Sequence, residues 1–362
     1  MVSQKCLLPI RPVVLLAHYS YVLAWEVDGA ALNSLQWHSE STDAGGNIIS
    51  LALYTDAWLN PIYGASIEQV VVHVHGRERD GLEAWTDMAA ARARMFLDQH
   101  SKVLLVAPQF VRAPSFPIED AAIEADQLAD DQQYWAQFAT WGEGGLSTTR
   151  KHPPCKGGVS SFEVLDAIIC HFSDSSRYTA LKRIVISGHS MGAQLVHRYS
   201  ILGCPTRRAG LEIIYVVMNP ASYLYFHAKR PGPATSSFYD LKPGLCRVDG
   251  FEGLSEKMYT YPGIDLGAQS FIDRFLRERQ VHFIHGSADV GMGDERAQAM
   301  AQGANRVERA QNYQLHLDQM AAKIGVRGKW TVDWVAGVGH DGRSMATSDA
   351  ALARIFTPSI AP

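Results

Sequence analysis

The sequence predicts an α/β fold: a mostly parallel central sheet flanked by helices and interrupted by lid-like insertions. Short apolar runs at Val70–Val74, Val103–Ala107, Arg183–Ser187, Leu211–Met218, Val281–His285 and Trp330–Val335 alternate with segments of helical length. That order requires right-handed βαβ crossovers. Val70–Val74 and Val103–Ala107 are apolar almost throughout, as strands covered by helices on both faces are. With 362 residues, 47% of them hydrophobic, the chain can build one large core, and it shows no internal repeat or second independent core.

Residues 1–30 read as an N-terminal extension. Lys5 and Arg11 precede a mostly apolar stretch from Val13 to Trp25, with Ala24 near a cleavage point, the pattern of a secretory leader. Pro9, His18 and Ser20 interrupt that pattern and no A-x-A site follows, which favours a strand or helix packed on the domain. The first clear hairpin begins only near Ala31, tilting the balance toward secretion over a cytoplasmic location.

Residues 31–362 read as a single domain. Leu35–Glu40 and Asn47–Tyr54 form a strand pair around Asp43-Ala44-Gly45-Gly46, whose glycines suit a hairpin turn. Leu82, Trp85, Met88, Ala89, Met95 and Phe96 recur at helical spacing over Leu82–Gln99. A first insertion, Arg112–Gly158, is too long for an ordinary connection and reads as a functional loop or lid. Its acidic run (Glu119, Asp120, Glu124, Asp126, Asp130, Asp131) reads as solvated surface, and its aromatic residues include Tyr134, Trp135, Phe138 and Trp141. Ser160 or Ser161 caps a helix reaching Phe172. Met191–Leu202 is the next helix, and a second loop-rich insertion runs from Asn219 to about Leu266. Further helices run through Arg279, through Ile324 and to Phe356.

Composition narrows the function. The 33 basic and 37 acidic residues give a net charge of −4, which supplies no electrostatic footprint for nucleic acid. No apolar run reaches the roughly 18 residues of a membrane span. The five cysteines, Cys6, Cys155, Cys170, Cys204 and Cys246, form no CxxC pair and no zinc-ribbon spacing. Cys170 lies on an apolar helix as a buried thiol; loss of Cys6 with a leader leaves four, enough for two disulfides without requiring them.

The chemistry gathers at Ile184-Val185-Ile186-Ser187-Gly188-His189-Ser190-Met191-Gly192, a G-x-S-x-G in a strand–turn–helix context. Ser190 there sits in a strained turn that lifts its Oγ above the sheet edge, and Gly188 and Gly192 remove the side chains that would block the crossing backbone. The Met191 N–H opens the helix, unpaired, toward an anion formed beside Ser190. The strand Val70–Val74 ends in His75-Gly76-Arg77. Gly76 permits close approach, and the Arg77 N–H is the second candidate donor of an oxyanion hole. His73-x-His75 with no third ligand nearby makes a poor metal site.

A serine needs a base, and the base an acid. Where the elbow fold runs Ser, acid, His, His197 and His227 come too early. His282 and His285 lie in a strand and His316 in a helix. His340, in Gly337-Val338-Gly339-His340-Asp341-Gly342, follows the last strand and is the candidate base. Asp289 closes the loop after Val281–His285, with Asp294 its rival; Asp333 is in a strand and Asp341 adjoins the base. Asn305, Arg306, Glu308 and Arg309 open a helix and either brace the acid loop or line a pocket, the brace being favoured. Tyr223 and Tyr225, beyond Asn219-Pro220, line a pocket or pack at the surface.

These motifs resemble those of the α/β-hydrolase superfamily over roughly Leu35 to Phe356: Gly188-His189-Ser190-Met191-Gly192 its elbow, Val74-His75-Gly76 its oxyanion strand, His285-Gly286-Ser287-Ala288-Asp289 its acid loop and Gly339-His340 its histidine loop. Within it the chain is similar to a group of largely uncharacterised fungal serine hydrolases. They share the patterns present here as Ser160–Asp166, Gln302–Arg309 and Gly339-His340-Asp341-Gly342, whereas the loop Ala288–Asp294 departs slightly from theirs. The resemblance implies a Ser190–His340–Asp289 triad acting on a small-molecule ester without metal or organic cofactor, and secretion as in many of that group. Thioester or lactone cleavage and transfer to an acceptor alcohol use the same parts, and a non-catalytic ligand-binding protein on this fold is the remaining alternative.

Overall fold

In the computed structural model the described residues are 29–38, 48–56, 64–95, 100–111, 133–135, 140–147, 159–203, 205, 207–227, 229–232 and 267–356. The leader, the Asp43–Gly46 turn, the acidic run of the first insertion and Cys6, Cys155, Cys204 and Cys246 lie outside them.

Among the described residues eight strands, numbered β1 to β8 along the chain, form one sheet in the order β1-β2-β4-β3-β5-β6-β7-β8. Ala30–His38 (β1) and Ile48–Asp56 (β2) pair antiparallel, and β2 pairs antiparallel with Val103–Pro108 (β4). Gln69–Val74 (β3), Arg183–His189 (β5), Glu212–Met218 (β6), Gln280–Gly286 (β7) and Trp330–Val335 (β8) continue the sheet from β4 in parallel.

Alternate side chains serve two cores, because successive residues of a strand point to opposite faces. Val70, Val72, Ile184, Ile186, Tyr215, Val217, Val281 and Phe283 face one core. Helices Ser161–Phe172 (α2), Met191–Leu202 (α3), Gly267–Glu278 (α4) and Arg306–Ile324 (α6) cover it with Phe162, Leu195, Phe275 and Tyr313. Val71, Val185, Ile214, Val216 and Ile284 face the other core. Gly81–Arg92 (α1), Gly342–Ala346 (α7) and Asp349–Ile355 (α8) cover that one with Trp85, Met88, Met345 and Ile355. A one-turn helix, Ala297–Met300 (α5), precedes α6.

Several boundaries follow from caps. Ser160 accepts from the Phe162 N–H at the start of α2, and Asn305 from the Glu308 N–H at the start of α6. The C-terminal helix of the sequence reading is two helices, because Ser348 accepts from the Ala351 N–H and starts a new one. Helix α1 stops at Arg92, short of Gln99, in a tightened last turn where Arg94 and Met95 donate to Ala91 and Arg92.

Much of the described part of each insertion packs inside. Trp135 and Trp141 are fully buried, Trp141 stacking on Phe110 at 5.1 Å and meeting the His75 ring edge-on at 4.7 Å. Tyr223 and Tyr225 are buried too, Tyr223 stacked on Tyr313 at 4.4 Å, so they lie in the core and not at the surface. No described helix is long and apolar enough to cross a membrane.

Candidate active site

The sheet's strand order reverses at β3. The chain passes from β3 outward to β4, then returns to β5 on the other side of β3. In such sheets the crevice beyond the carboxyl ends of the strands at this switch point is where ligands bind. Register brings the ends of β3 and β5 level, with Val74 opposite Gly188. The residues that follow, Gly76 and Ser190, therefore face each other; a Cβ on Gly76 would stand 3.8 Å from the Ser190 Cβ.

Ser190 sits between β5 and α3 with φ 58° and ψ −118°, a conformation an L residue holds only where its surroundings enforce it. Its N–H donates to the Met218 carbonyl at 3.0 Å and its carbonyl accepts from Gln194 at 3.2 Å. Both flanking glycines are required by close backbone approach. A Cβ on Gly192 would lie 2.3 Å from the Val74 oxygen and 2.4 Å from that of His75, and one on Gly188 would lie 2.6 Å from the Gly192 carbonyl carbon.

Asp289 and His340 come from the loops after β7 and β8. His340 Nε2 is 2.8 Å from Ser190 Oγ, and His340 Nδ1 is 2.8 Å from Asp289 Oδ2. A carboxylate only accepts, so this line fits the tautomer with the proton on Nδ1 and an Nε2 lone pair facing the serine hydroxyl. Asp289 is buried while the His340 side chain is 30% exposed, so the line runs from the interior to the open end of the sheet.

Solved structures share this framework. The poly(3-hydroxybutyrate) depolymerase LpqC from Bordetella parapertussis matches with a TM-score of 0.55 at 21% identity over 91% of each chain. Poly(aspartic acid) hydrolase-1 from Sphingomonas sp. KT-1 matches with a TM-score of 0.57 at 15% identity, over 90% of this chain and 98% of that one. The chain has the α/β-hydrolase fold. No protein-family model matches the sequence, and no curated protein does. At these identities the likeness is one of fold, so the chemistry of this hydrolase-fold protein has to come from its own site.

The rival acid, Asp294, is engaged elsewhere. Its carboxylate takes Arg296 Nε at 2.9 Å and Nη2 at 2.7 Å, and the same Nη2 reaches Glu143 Oε1 at 2.6 Å. Two of the other histidines, His73 and His75, are engaged too. His73 bonds Ser187 Oγ at 2.8 Å, and His75 donates from Nδ1 to the Gly76 carbonyl while Nε2 accepts from the Phe110 N–H. Burial pushes His73 down to about 4 and His75 to about 3. Among the described residues no three His, Cys, Asp or Glu side chains come together as metal ligands. His189 lies under His340, ring centroids 4.6 Å apart, and burial holds it well below the usual histidine range.

The candidate oxyanion donors occupy two element ends. Met191 begins α3, so its N–H has no partner within the helix. Gly76 starts a turn closed by the Arg79 N–H donating to its carbonyl at 3.2 Å, with Arg77 next in that turn.

Two supporting residues, Asn219 and Glu143, escaped the sequence reading of roles. Asn219, at φ 50°, accepts from the Gly286 N–H at 2.8 Å and donates to the Gly339 carbonyl at 3.2 Å. Glu143 anchors the first insertion to Arg296 beyond the acid loop. Arg306 donates to Asp289 Oδ1 at 3.1 Å. The cluster opening α6 is a brace: Arg306 N–H donates to the Gly291 carbonyl, and Arg309 holds the carbonyls of Ala221, Met292 and Gly303. An Asn at a strand end before Pro was the only sequence signal for Asn219.

Proposed function

We propose that the protein is a serine hydrolase that cleaves a small-molecule carboxylic ester through a covalent acyl-enzyme on Ser190. The observation that carries this reading is the unbroken pair of 2.8 Å hydrogen bonds from Ser190 through His340 to Asp289, set at the topological switch point of the sheet. A neutral serine is a weak nucleophile, and an imidazole at hydrogen-bond distance supplies the missing base.

His340 Nε2 takes the hydroxyl proton as Ser190 Oγ bonds to the ester carbonyl carbon. The resulting tetrahedral oxyanion accepts from the N–H groups of Met191 and Arg77, at the helix start and beside Gly76. The buried Asp289 carboxylate stabilises the imidazolium and keeps its proton on Nδ1. Collapse expels the alkoxide, which leaves as an alcohol with the Nε2 proton. Water then gives a proton to His340, attacks the acyl group and releases the acid, and Ser190 recovers its proton. An ester fits these parts because its leaving alkoxide needs less help from an acid than an amine does.

Labelling with a fluorophosphonate probe, read by intact mass, tests the proposal. A single adduct on the wild type, absent from Ser190→Ala and strongly slowed in His340→Ala, is expected, followed by turnover of p-nitrophenyl esters. A folded wild type that takes no adduct and turns over no ester overturns the proposal and leaves the fold as a ligand-binding scaffold.

A further inference from the structure

We propose that Arg306 is a positioning residue of the reaction, its guanidinium gripping the second oxygen of Asp289 so that the first stays aligned on His340. The inference rests on the triad reading above. Asp289 Oδ2 meets His340 Nδ1 at 2.8 Å while Oδ1 accepts from Arg306 Nη1 at 3.1 Å. Asp289 is buried and Arg306 mostly covered, their side chains 3% and 13% exposed. Water is therefore a poor substitute for the guanidinium, and a buried carboxylate deprived of its paired charge is free to turn or to seek another donor.

The loop is shaped around this contact. A Cβ on Gly293, at φ 67°, would lie 2.6 Å from the guanidinium carbon of Arg306, and one on Gly291 would lie 3.0 Å from Nη1. The two glycines of Val290-Gly291-Met292-Gly293 thus leave the room the guanidinium occupies.

Bracing the loop backbone does not account for the side-chain contact. The Arg306 backbone N–H already holds the Gly291 carbonyl, and Arg309 holds Met292. Both ties survive replacement of the Arg306 side chain. The guanidinium's own bond goes to the carboxylate that orients the base, where a displacement of about 1 Å costs about 100-fold in rate.

The test compares wild type, Arg306→Ala and Arg306→Lys in three measurements: the rate constant of fluorophosphonate labelling, steady-state hydrolysis of p-nitrophenyl butyrate, and the most downfield proton signal, that of His340 Nδ1–H, assigned by its loss in His340→Ala. Arg306→Ala is expected to label and turn over about 30- to 100-fold more slowly with KM within twofold, and to lose or shift that signal. Millimolar guanidinium restores several-fold activity to Arg306→Ala and none to Ser190→Ala, and Arg306→Lys keeps more activity than the alanine variant. Equal labelling and an unmoved signal in folded Arg306→Ala overturn the inference while leaving the serine mechanism intact. If Arg306→Ala does not fold, Arg306→Met, which keeps most of the bulk without charge or donor, decides, and wild-type rate and signal in it overturn the grip. A wild type without adduct or turnover defeats the serine mechanism instead, and the proton signal still reads the Arg306–Asp289–His340 geometry.

Discussion

Asn219 ties the loops of Asp289 and His340 together through one side chain, accepting from the Gly286 N–H at 2.8 Å and donating to the Gly339 carbonyl at 3.2 Å. It sits at the end of β6, between the serine-bearing strand β5 and the acid-bearing strand β7. Its φ of 50° is one that Asn tolerates better than most side chains. Asn219→Ala orphans a buried N–H and is expected to cost about 1–3 kcal/mol of stability. Asn219→Asp keeps the acceptor toward Gly286 but sets a carboxylate against the Gly339 carbonyl, so it should perturb the histidine loop more than the acid loop. Thermal melts with ester turnover separate the two variants; an Asn219→Ala protein with an unchanged melt refutes the account.

The elbow makes a sharper prediction. Gly192→Ala places a Cβ within 2.4 Å of two backbone oxygens at the end of β3, neither of which is the tip of a flexible side chain. Either β3 or the start of α3 has to shift, and both carry the proposed oxyanion donors. We expect Gly192→Ala to lose about 100-fold or more in ester turnover, with fluorophosphonate labelling slowed to match. Wild-type labelling would show that the elbow has slack that the backbone contacts deny.

Acid stability follows from the buried histidines. Burial lowers His73, His171, His282 and His285 to about 4, His75 and His316 to about 3, and His189 and His197 well below the ordinary value of 6.5. Below pH 6.5 the unfolded chain binds more protons than the native one, so native stability is complete above that pH and falls as pH drops toward the native values. Each histidine contributes up to about 1.4 kcal/mol per pH unit, against a typical total of roughly 5–15 kcal/mol. Circular dichroism from pH 8 to 4 should therefore record one cooperative unfolding step centred at about pH 5–6. A native spectrum persisting at pH 4 contradicts the assignment of these rings as neutral and buried.

The strands and helices from β3 to β8 were legible because their runs are mostly apolar and strands alternate with helices in order. Ser190 was legible because its surroundings are local: strand, glycine, turn and helix lie within ten residues. The supports of the site were not. Asn219 meets partners 67 and 120 residues away, and Glu143 meets Arg296 across 153, so nothing at those positions announces the contact. Tyr223 and Tyr225 were ambiguous for a different reason. A tyrosine in a loop has the same local pattern at a pocket wall as in a stack, and only the arrival of Tyr313 from α6 decides.

Asp289 and Asp294 show where sequence order stops discriminating. Both follow β7 within one loop, and both are acidic residues within two positions of a glycine. Geometry separates them by partner: Asp289 faces His340 Nδ1 at 2.8 Å, whereas Asp294 is chelated by Arg296 from the next turn of chain. Under the triad proposal, Asp289→Asn removes the charge that steadies the imidazolium and favours the wrong tautomer, a change expected to lower kcat by about 10⁴-fold. Asp294→Asn weakens a part-buried ion pair with Arg296 and should leave kcat within a few-fold while lowering the melting temperature. The pair of variants is read by initial rates on one p-nitrophenyl ester. A collapse of kcat in Asp294→Asn with Asp289→Asn unaffected would move the acid five residues along the loop and require the segment to refold around Arg296 during turnover.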